Sequence, residues 1–386
     1  MKHIFSLIAV AFLVFIFTFY VDGEMGIILI AFLLTAPILS FILTFYARSR
    51  VNIKLVCDAY VKKGNELEIK IIIEKESRFP VAFIDVELFA SGVFADNSKF
   101  YRASIFNEKK IEFSVKLPAV TGGNGQIGIK NAYSSGFLGF IKMKLTKELP
   151  ENKSVGVIPE IPEINASSIL FRSIADVVLT TEEDDENETT MLFSTNTAPG
   201  YEHREYVPGD SLKRINWKLS ARKSNLMVRL DEAASAVQPS IILDLYRSKE
   251  SDEVTALKNE EKTLQSVFGL MQLMLKQGIA CTFIYRTYDG STVAESVDNP
   301  DFLSQLLLKV LSVKVETESR ISGEVLNNGV CARIIATSDL SESLDEIIDA
   351  LPDKENSSII SPFNMSERKI QLPLWYLADN NNFELV

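Results

Sequence analysis

The sequence predicts a multidomain chain with two N-terminal transmembrane helices, an antiparallel β-sandwich-like domain and a C-terminal α/β doubly wound domain. Two uncharged apolar runs occupy the N-terminus, an alternating apolar and polar pattern follows, and strand–helix alternation fills the last part. A chain of 386 residues has room for two globular domains, since about 100–200 residues make each one. We place the segments at 1–50, 51–160, 161–200, 201–236 and 237–386.

The first two predicted elements are apolar runs long enough to cross a bilayer. Residues 4–21 and 27–46 contain no charged side chain, and at about 1.5 Å per residue they reach roughly 27 and 30 Å. Lys2 precedes the first run and Arg48 follows the second, whereas the short linking loop has no Lys or Arg. The positive-inside rule therefore predicts a two-span protein of the cell membrane with both termini in the cytoplasm. A cleaved signal peptide is the alternative, and the immediate second run argues against it.

Residues 51–160 show the period of two that is typical of half-buried antiparallel strands. The segments 67–71, 84–88 and 111–117 alternate apolar and polar side chains, and turns that contain glycine separate them. Several short strands at this spacing predict a β-sandwich-like domain.

One glycine pattern in this domain matches the dinucleotide fingerprint G-x-G-x-x-G, with Gly123, Gly125 and Gly128. The fingerprint binds a pyrophosphate only where it leaves a strand and opens a helix. Because residues 127–130 continue as a strand, we interpret the pattern as a glycine-rich hairpin turn and expect no nucleotide cofactor.

The segment 161–200 is predicted to be an acidic linker or loop. Residues 182–188 carry six acidic side chains, which repel one another and stay solvated. A docking site for a basic partner surface is the alternative for this acidic run.

Residues 237–386 alternate between strands and helices. The run 241–245 is apolar throughout, as expected of a parallel strand that is buried on both faces, and 254–276 has helical spacing. The same pattern predicts strands over 279–285, 330–337 and 358–362, and helices over 302–313 and 344–351. This alternation indicates an open doubly wound sheet.

Composition excludes several classes of function. With 40 Lys and Arg against 51 Asp and Glu, the formal charge is −11, so we expect no binding of nucleic acid. Two histidines and three scattered cysteines leave little for a metal cluster, a His-based triad or a disulfide framework. Walker A, H-E-x-x-H and G-x-S-x-G motifs are absent from the sequence. We therefore assign no catalytic residue and predict that the protein is not an enzyme.

The most distinctive segment is 201–230, where seven basic and three acidic residues give a local charge of +4. A turn at Pro208-Gly209 precedes Asp210 and Ser211, either of which is well suited to cap a following helix. In one interpretation its charged residues form a buried or half-buried ion network; in the other they display a cationic surface to an acidic partner or to lipid headgroups. The cost of an unpaired buried charge favours the network. The signature residues are Arg204, Glu205, Tyr206, Gly209, Asp210, Arg214, Trp217, Ala221 and Arg222.

This segment resembles the bacterial family known as domain of unknown function fifty-eight, whose signature has the form R-E-Y-x-x-G-D-x-x-R-x-I-x-W-x-x-S/T-A-R. The two apolar runs, the β-rich region and the Ile158-Pro159 stretch also stand where such proteins have them. The resemblance implies a C-terminal domain similar to von Willebrand factor A and, as a protein partner, a MoxR-type AAA+ ATPase. It implies no known enzymatic activity.

The resemblance also implies a candidate Mg²⁺ site. Domains similar to von Willebrand factor A often bind Mg²⁺ through Asp-x-Ser-x-Ser after the first strand and an Asp after a later one. Asp244, Ser248 and Asp339 match these positions, whereas Tyr246 replaces the middle Ser. Because Tyr246 is bulky and Arg247 adds positive charge, we expect the two aspartates to be caps or ion-pair partners, with Arg247 as the partner, rather than Mg²⁺ ligands.

Together these features predict a membrane-anchored, non-enzymatic adaptor or scaffold with a cytoplasmic protein-interaction domain, acting with the AAA+ ATPase in envelope-related assembly or maturation. One alternative is a metal-dependent hydrolase at a crevice formed by Asp244 and Asp339, for which no nucleophile–base pair is visible. Another is an outward-facing adhesion module, which the charges that flank the apolar runs oppose.

Overall fold

The chain folds into two N-terminal helices, a pair of facing β-sheets, a two-stranded sheet and a larger mixed sheet covered by helices. The described strands form sheets of three, six, two and seven strands. The computed structural model describes residues 2–95, 98–184, 198–205, 217–223, 225–232, 238–321, 332–352, 354–364 and 370–386.

Two apolar helices begin the chain, α1 (Lys2–Tyr20) and α2 (Gly23–Ala47). By length and hydropathy, α2 is the described helix that could cross a membrane, and α1 is apolar over the shorter stretch Ile8–Tyr20. Pro37 lies inside α2. The N-terminal region therefore supplies one candidate span, with a second apolar helix directly before it.

The connection between the helices is shorter than the predicted loop over 22–26. Asp22 is the N-cap of α2, and its carboxylate accepts the N–H groups of the second and third helical residues at 3.0 and 3.2 Å. This cap satisfies backbone donors that the start of a helix leaves free, so α2 begins immediately after Asp22. A side chain at Gly26 would collide with Thr18, so the glycine lets the two helices approach closely.

The predicted antiparallel sandwich corresponds to two sheets that enclose one apolar core. The strand orders are β1-β3-β6 and β2-β9-β7-β4-β5, with β8 paired to β7, and every pairing except β2 with β9 is antiparallel. Alternate side chains of β3 and β4, including Ile71 and Val86, point into this core. The strands are β1 (Val51–Cys57), β2 (Tyr60–Lys62), β3 (Glu66–Lys75), β4 (Val81–Ala90), β5 (Ser98–Ile105), β6 (Lys110–Pro118), β7 (Gly123–Ser135), β8 (Lys142–Lys144) and β9 (Lys153–Ile158).

The glycine pattern at 123–128 lies inside strand β7 rather than in a hairpin turn. Gly125 pairs with Val155 of β9, and a side chain at Gly125 would collide with Val93. No helix opens from the pattern, because β7 runs on to Ser135 and β8 follows. Gly125 therefore serves close packing within the sandwich.

The segment 161–200, predicted as a linker or loop, contains helix α3 (Ile169–Asp184). Leu170, Phe171 and Ile174 are buried in the core beneath the larger sheet. Their helical spacing gives α3 an apolar face, and burial of that face outweighs the repulsion among the acids near its end.

The C-terminal sheet has the order β14-β13-β12-β15-β16-β17-β18. Its five central strands are parallel, and an antiparallel strand closes each edge. The four predicted strands and three predicted helices of this region are found, whereas β14, β17 and β18 were not predicted. The elements are β10 (Ala198–Glu205), α4 (Trp217–Lys223), β11 (Met227–Glu232), β12 (Ser240–Asp244), α5 (Glu253–Lys276), β13 (Cys281–Arg286), β14 (Thr292–Val297), α6 (Pro300–Leu311), β15 (Arg333–Thr337), α7 (Leu344–Asp349), β16 (Ser357–Ser361), β17 (Leu374–Leu377) and β18 (Phe383–Leu385).

Both faces of this mixed sheet are buried. Ile241 and Leu243 of β12 pack in one core with α3, α5 and α6, whereas Ile242 packs in a second core with α7. Successive strand residues point to opposite faces, so a continuous apolar strand requires cover on each side.

The sandwich and the mixed sheet share an interface through α5 and α6. Leu257 of α5 is buried in the core of the sandwich. Lys63 forms an ion pair of 2.8 Å with Glu261 of α5, and the Tyr60 hydroxyl donates to the carbonyl oxygen of Leu308 at 3.2 Å. The two parts of the chain are thus joined by apolar and polar contacts.

Adjacent residues of α3 test whether its burial stabilises the fold. Leu170 is 1% exposed and Ile169 is 66% exposed. We expect Leu170→Ala to lower the free energy of unfolding by about 2–5 kcal/mol, because it leaves a cavity, and Ile169→Ala to change it by less than about 0.5 kcal/mol. Urea unfolding of the detergent-solubilised chain measures both, and equal effects would contradict the packing of α3.

Candidate functional site

The candidate site lies where the first strand of the mixed sheet and its neighbour end. Asp244 is the last residue of β12 and pairs with Thr337, the last residue of β15. The connections that leave these two strands run to opposite faces, since α5 and α7 pack in different cores. Open α/β sheets bind ligands at such a switch point, at the carboxyl ends of the strands.

The guanidinium of Arg320 fills this switch point. Its Nη1 atom donates to Asp244 Oδ2 at 2.5 Å and to Thr337 Oγ1 at 3.0 Å. Its Nη2 atom donates to the carbonyl oxygen of Asp339 at 2.9 Å and to Ser341 Oγ at 3.0 Å. The Nε atom donates to Ser343 Oγ at 2.7 Å. The side chain of Arg320 is 5% exposed, so its charge is neutralised inside the protein.

Tyr246 closes one side of the guanidinium. The Cζ atom of Arg320 lies 4.3 Å from the centre of the Tyr246 ring, which is a cation–π contact. The backbone of Tyr246 is fixed by Ser338, whose hydroxyl accepts the Tyr246 N–H at 3.0 Å and donates to its carbonyl oxygen at 2.6 Å. The residue that departs from the Asp-x-Ser-x-Ser pattern is therefore the one that packs on the arginine.

Asp339 is held by backbone donors as well as by Arg320. Its Oδ1 atom accepts the N–H of Ser341 at 2.7 Å, and its Oδ2 atom accepts the N–H of Ser248 at 3.2 Å. The Ser248 hydroxyl accepts the N–H of Glu250 at 3.3 Å. The structure thus brings Asp244, Ser248 and Asp339 together as the sequence predicts, through hydrogen bonds among themselves and with Arg320.

These residues do not fit a Mg²⁺ site. Magnesium requires oxygen ligands at about 2.0–2.1 Å in an octahedral arrangement, and both aspartates here already accept N–H groups. The guanidinium supplies the positive charge between them. The described residues also contain no group of three or more His, Cys, Asp and Glu side chains able to hold a metal ion.

The ion-pair partner of the aspartates is Arg320 rather than Arg247. Arg247 instead makes a bidentate pair with Glu260 of α5, at 2.8 and 3.0 Å. Burial raises the pKa of the Glu260 carboxyl, and the charge of Arg247 opposes that shift. The covering segment, which we define as residues 312–321, brings Arg320 over the strand ends; within it the carbonyl oxygen of Glu316 accepts the N–H of Arg247 at 2.9 Å.

Arg320, Thr337, Ser341 and Ser343 were not singled out from the sequence. Arg320 lies 76 residues from Asp244, in a polar stretch without periodicity, so no local pattern marked it. The sequence did contain one signal that could have identified these residues. A cluster of polar residues directly follows β15, and the ends of strands in open sheets carry binding residues.

The signature residues are only partly visible. Arg204 and Glu205 end strand β10, opposite Val228 and Met227 of β11. Trp217 begins α4, and Ala221 and Arg222 are exposed on it. Tyr206, Gly209, Asp210 and Arg214 lie outside the described residues.

One contact within the signature is well defined. Ser220 of α4 is buried, and its hydroxyl accepts the N–H of Met227 at 2.8 Å. This hydrogen bond ties α4 to β11 and leaves Lys218, Arg222 and Lys223 exposed.

Comparisons with known proteins match one family model and many solved structures. Residues 202–280 match the family model described as "Protein of unknown function DUF58". No curated protein matches the chain.

The solved structures resemble only part of the chain. A cohesin module of a family 33 glycoside hydrolase from Clostridium perfringens is 17% identical, covers 29% of this chain and 99% of its own, and has a TM-score of 0.24. A CARDB domain from Pyrococcus furiosus, solved with di-metal ions, is 14% identical over 28% of this chain and 94% of its own, with a TM-score of 0.23. Alpha-2-macroglobulin from Escherichia coli is 18% identical over 30% of this chain and 18% of its own, with a TM-score of 0.24. At TM-scores this low, the similarity supports no conclusion about fold or function.

Removal of the Arg320 guanidinium should strongly destabilise the protein. We expect Arg320→Ala to lower the free energy of unfolding by about 3–5 kcal/mol, because Asp244 is left buried without its partner. The control is Lys354→Ala, which removes an exposed ion pair with Asp349 and should cost less than about 1 kcal/mol. Urea unfolding monitored by circular dichroism measures both.

Titration calorimetry with Mg²⁺ tests the same geometry directly. The wild-type chain should take up no Mg²⁺, since Arg320 occupies the place between the aspartates. Stoichiometric binding that Asp244→Ala abolishes would contradict this assignment.

Proposed function

We propose that the chain is a membrane-anchored, non-enzymatic adaptor whose globular part binds protein partners. Through residues 202–280 it belongs to the DUF58 family of proteins of unknown function. The observation that carries this proposal is the closed edge of the mixed sheet. Arg320 neutralises Asp244 and Asp339, so neither carboxylate is free to hold a metal or to act on a substrate. That arrangement disfavours the alternative of a hydrolase at this crevice.

We further infer that the mixed sheet is a domain similar to von Willebrand factor A. Its first six strands in chain order, β12 to β17, are arranged as 3-2-1-4-5-6, with the third strand antiparallel. This is a doubly wound order, with a crevice at the ends of the first and fourth strands. The positions of Asp244 and Asp339 at that crevice support this inference, because they are the positions that the family resemblance implies for the two aspartates.

The anchor in this proposal consists of both N-terminal helices as membrane spans. The length and hydropathy of α2 support a span, and the close approach of Gly26 to Thr18 supports a hairpin with α1. Arg48 and Arg50 directly follow α2, which favours a cytoplasmic position for everything after it.

Cysteine labelling tests this orientation. Cys281 is unsuitable, because it is fully buried and burial raises the pKa of its thiol to about 12. Tyr288, in the turn between β13 and β14, is 82% exposed. We expect a Tyr288→Cys chain, with Cys57 and Cys331 replaced by Ser, to react with an impermeant maleimide in inverted vesicles and not in intact spheroplasts. Labelling in intact spheroplasts would place the globular part outside and would favour the adhesion alternative.

The partner surface that we propose is the exposed face of α4. Lys218, Arg222 and Lys223 lie on this short helix and are exposed, in a segment of charge +4 within a chain of −11. Such a concentration of positive charge attracts an acidic surface and orients its approach. By the family resemblance, the partner is a MoxR-type AAA+ ATPase, in envelope-related assembly or maturation.

Co-purification from native membranes tests the partner. We expect the tagged chain to retain the ATPase at low salt, and the triple substitution Lys218→Glu, Arg222→Glu and Lys223→Glu to abolish the association by charge repulsion. The matched control carries Lys62→Glu, Lys70→Glu and Lys258→Glu, which reverse three exposed lysines elsewhere and should retain the ATPase. Equal retention by both triple variants would exclude the α4 surface, and absence of the ATPase from the wild-type sample would contradict the proposed partner.

A further inference from the structure

Three turns of the β-sandwich lie together at the end where α2 enters it. The turns are residues 76–80, 106–109 and 136–141, and we call them the sandwich rim. They share one end because Val81 pairs with Ile105 and Phe83 pairs with Ser135. The rim is therefore fixed in place by the register of β4, β5 and β7.

The last turns of α2 pack directly on this rim. Ser40 and Thr44 of α2 are buried, and a side chain at Gly136 would collide with the Ser40 hydroxyl. After the helix, the carbonyl oxygen of Arg48 accepts the N–H of Thr146 at 3.0 Å. The sandwich thus sits against the helix without a spacer.

The rim exposes large apolar side chains beside the helix. Phe79, Phe106, Phe137 and Leu138 are 55%, 53%, 41% and 39% exposed. The rings of Phe106 and Phe137 lie 6.1 Å apart, and the Phe79 ring meets Tyr46 of α2 edge-on at 5.6 Å. The apolar surface of α2 therefore continues onto the rim.

Buried Lys75 holds two of these turns in place. Its Nζ atom donates to the carbonyl oxygens of Phe79 at 3.5 Å and Ile105 at 3.4 Å, and also to that of Phe106. The exposed rings are thus presented by ordered turns rather than by loose loops.

Basic residues surround the apolar side chains of the rim. Besides the buried Lys75, the rim, the residues next to it in sequence and the two arginines that follow α2 contain six basic and two acidic side chains, a local charge of +4 in a chain of −11. The basic side chains are Arg48, Arg50, Arg78, Lys109, Lys110 and Lys142, and the acidic ones are Glu76 and Glu108. Aromatic rings flanked by Lys and Arg are typical of the layer between hydrocarbon and water in a bilayer with anionic lipids.

The residues that follow α2 place the rim at that layer. The helix has 25 residues, so it is about 37 Å long and can cross the ~30 Å hydrocarbon core. Arg48 and Arg50 directly follow it, so its C-terminal turns, which contact the rim, end at the boundary between hydrocarbon and water.

We propose that the sandwich rim inserts its aromatic side chains into the headgroup layer of an anionic bilayer and fixes the sandwich on the membrane surface. This inference rests on the proposed membrane anchor and adds a second contact with the lipid. The occupant is the bilayer rather than a protein, since the patch is continuous with the candidate span and carries the charge that anionic headgroups attract.

Fluorescence quenching by lipid tests the proposal. The full-length chain is reconstituted in vesicles of phosphatidylcholine and phosphatidylglycerol that contain lipid brominated near the headgroup end of the acyl chains. Phe106→Trp and Phe137→Trp report on the rim. Phe100→Trp is the matched control, because Phe100 is 69% exposed on strand β5, which leads into the turn that holds Phe106. It lies six residues from Phe106, about 20 Å along the strand.

We expect the two rim variants to show at least about twofold more quenching than Phe100→Trp, after subtraction of the unsubstituted chain, because their rings would lie within the interface. Replacement of phosphatidylglycerol by phosphatidylcholine should reduce their quenching. Equal quenching at all three positions, with the chain still in the vesicle fraction, overturns the rim contact and leaves the anchor intact. Recovery of the chain in the soluble fraction overturns the anchor itself.

Discussion

A buried guanidinium organises the end of the mixed sheet on which the candidate site is built. Arginine keeps its proton at any ordinary pH, so its burial is tolerable only where each N–H finds an acceptor. Arg320 meets this requirement with Asp244 at the end of β12 and with the oxygens that follow β15. One side chain thereby connects two neighbouring strands and the covering segment 312–321. The closed edge and the poor fit to Mg²⁺ both follow from it.

The same edge is connected to the N-terminal helices by an unbroken series of contacts. Thr263 of α5 donates to the carbonyl oxygen of Thr337 at 3.2 Å, next to the guanidinium. One end of α5 places Leu257 in the core of the sandwich, and the sandwich packs on Ser40 and Thr44 of α2. A partner bound near the sheet would therefore act on a body that is firmly attached to the N-terminal helices.

The sequence identified those parts of the fold in which local periodicity and burial agree. Helix α5 and strand β12 were predictable, because the side chains that face the core recur at helical spacing or fill a continuous apolar run. Helix α3 was not, since the acidic run at its end masks the short apolar face at its start. Asp244 and Asp339 were found from their positions after strands. Arg320 was not found, because it lies 76 residues from Asp244 in the sequence and only the fold brings the two side chains together.

An arginine at this edge responds to its surroundings differently from a bound metal ion. A bound divalent cation leaves when its concentration falls or when its ligands are protonated. Arg320 is covalently part of the chain and remains charged, so it cannot dissociate. Opening the crevice would require the covering segment to move as a unit, since the Glu316 carbonyl oxygen bonds Arg247 and Arg286 donates to the carbonyl oxygen of Ser319 at 3.2 and 3.3 Å. Such a movement would take Arg320 away from the buried carboxylate of Asp244 and leave it without its partner charge, at a cost of several kcal/mol. The edge is therefore held closed by default, and partner binding is expected at exposed surfaces such as α4 rather than in the crevice.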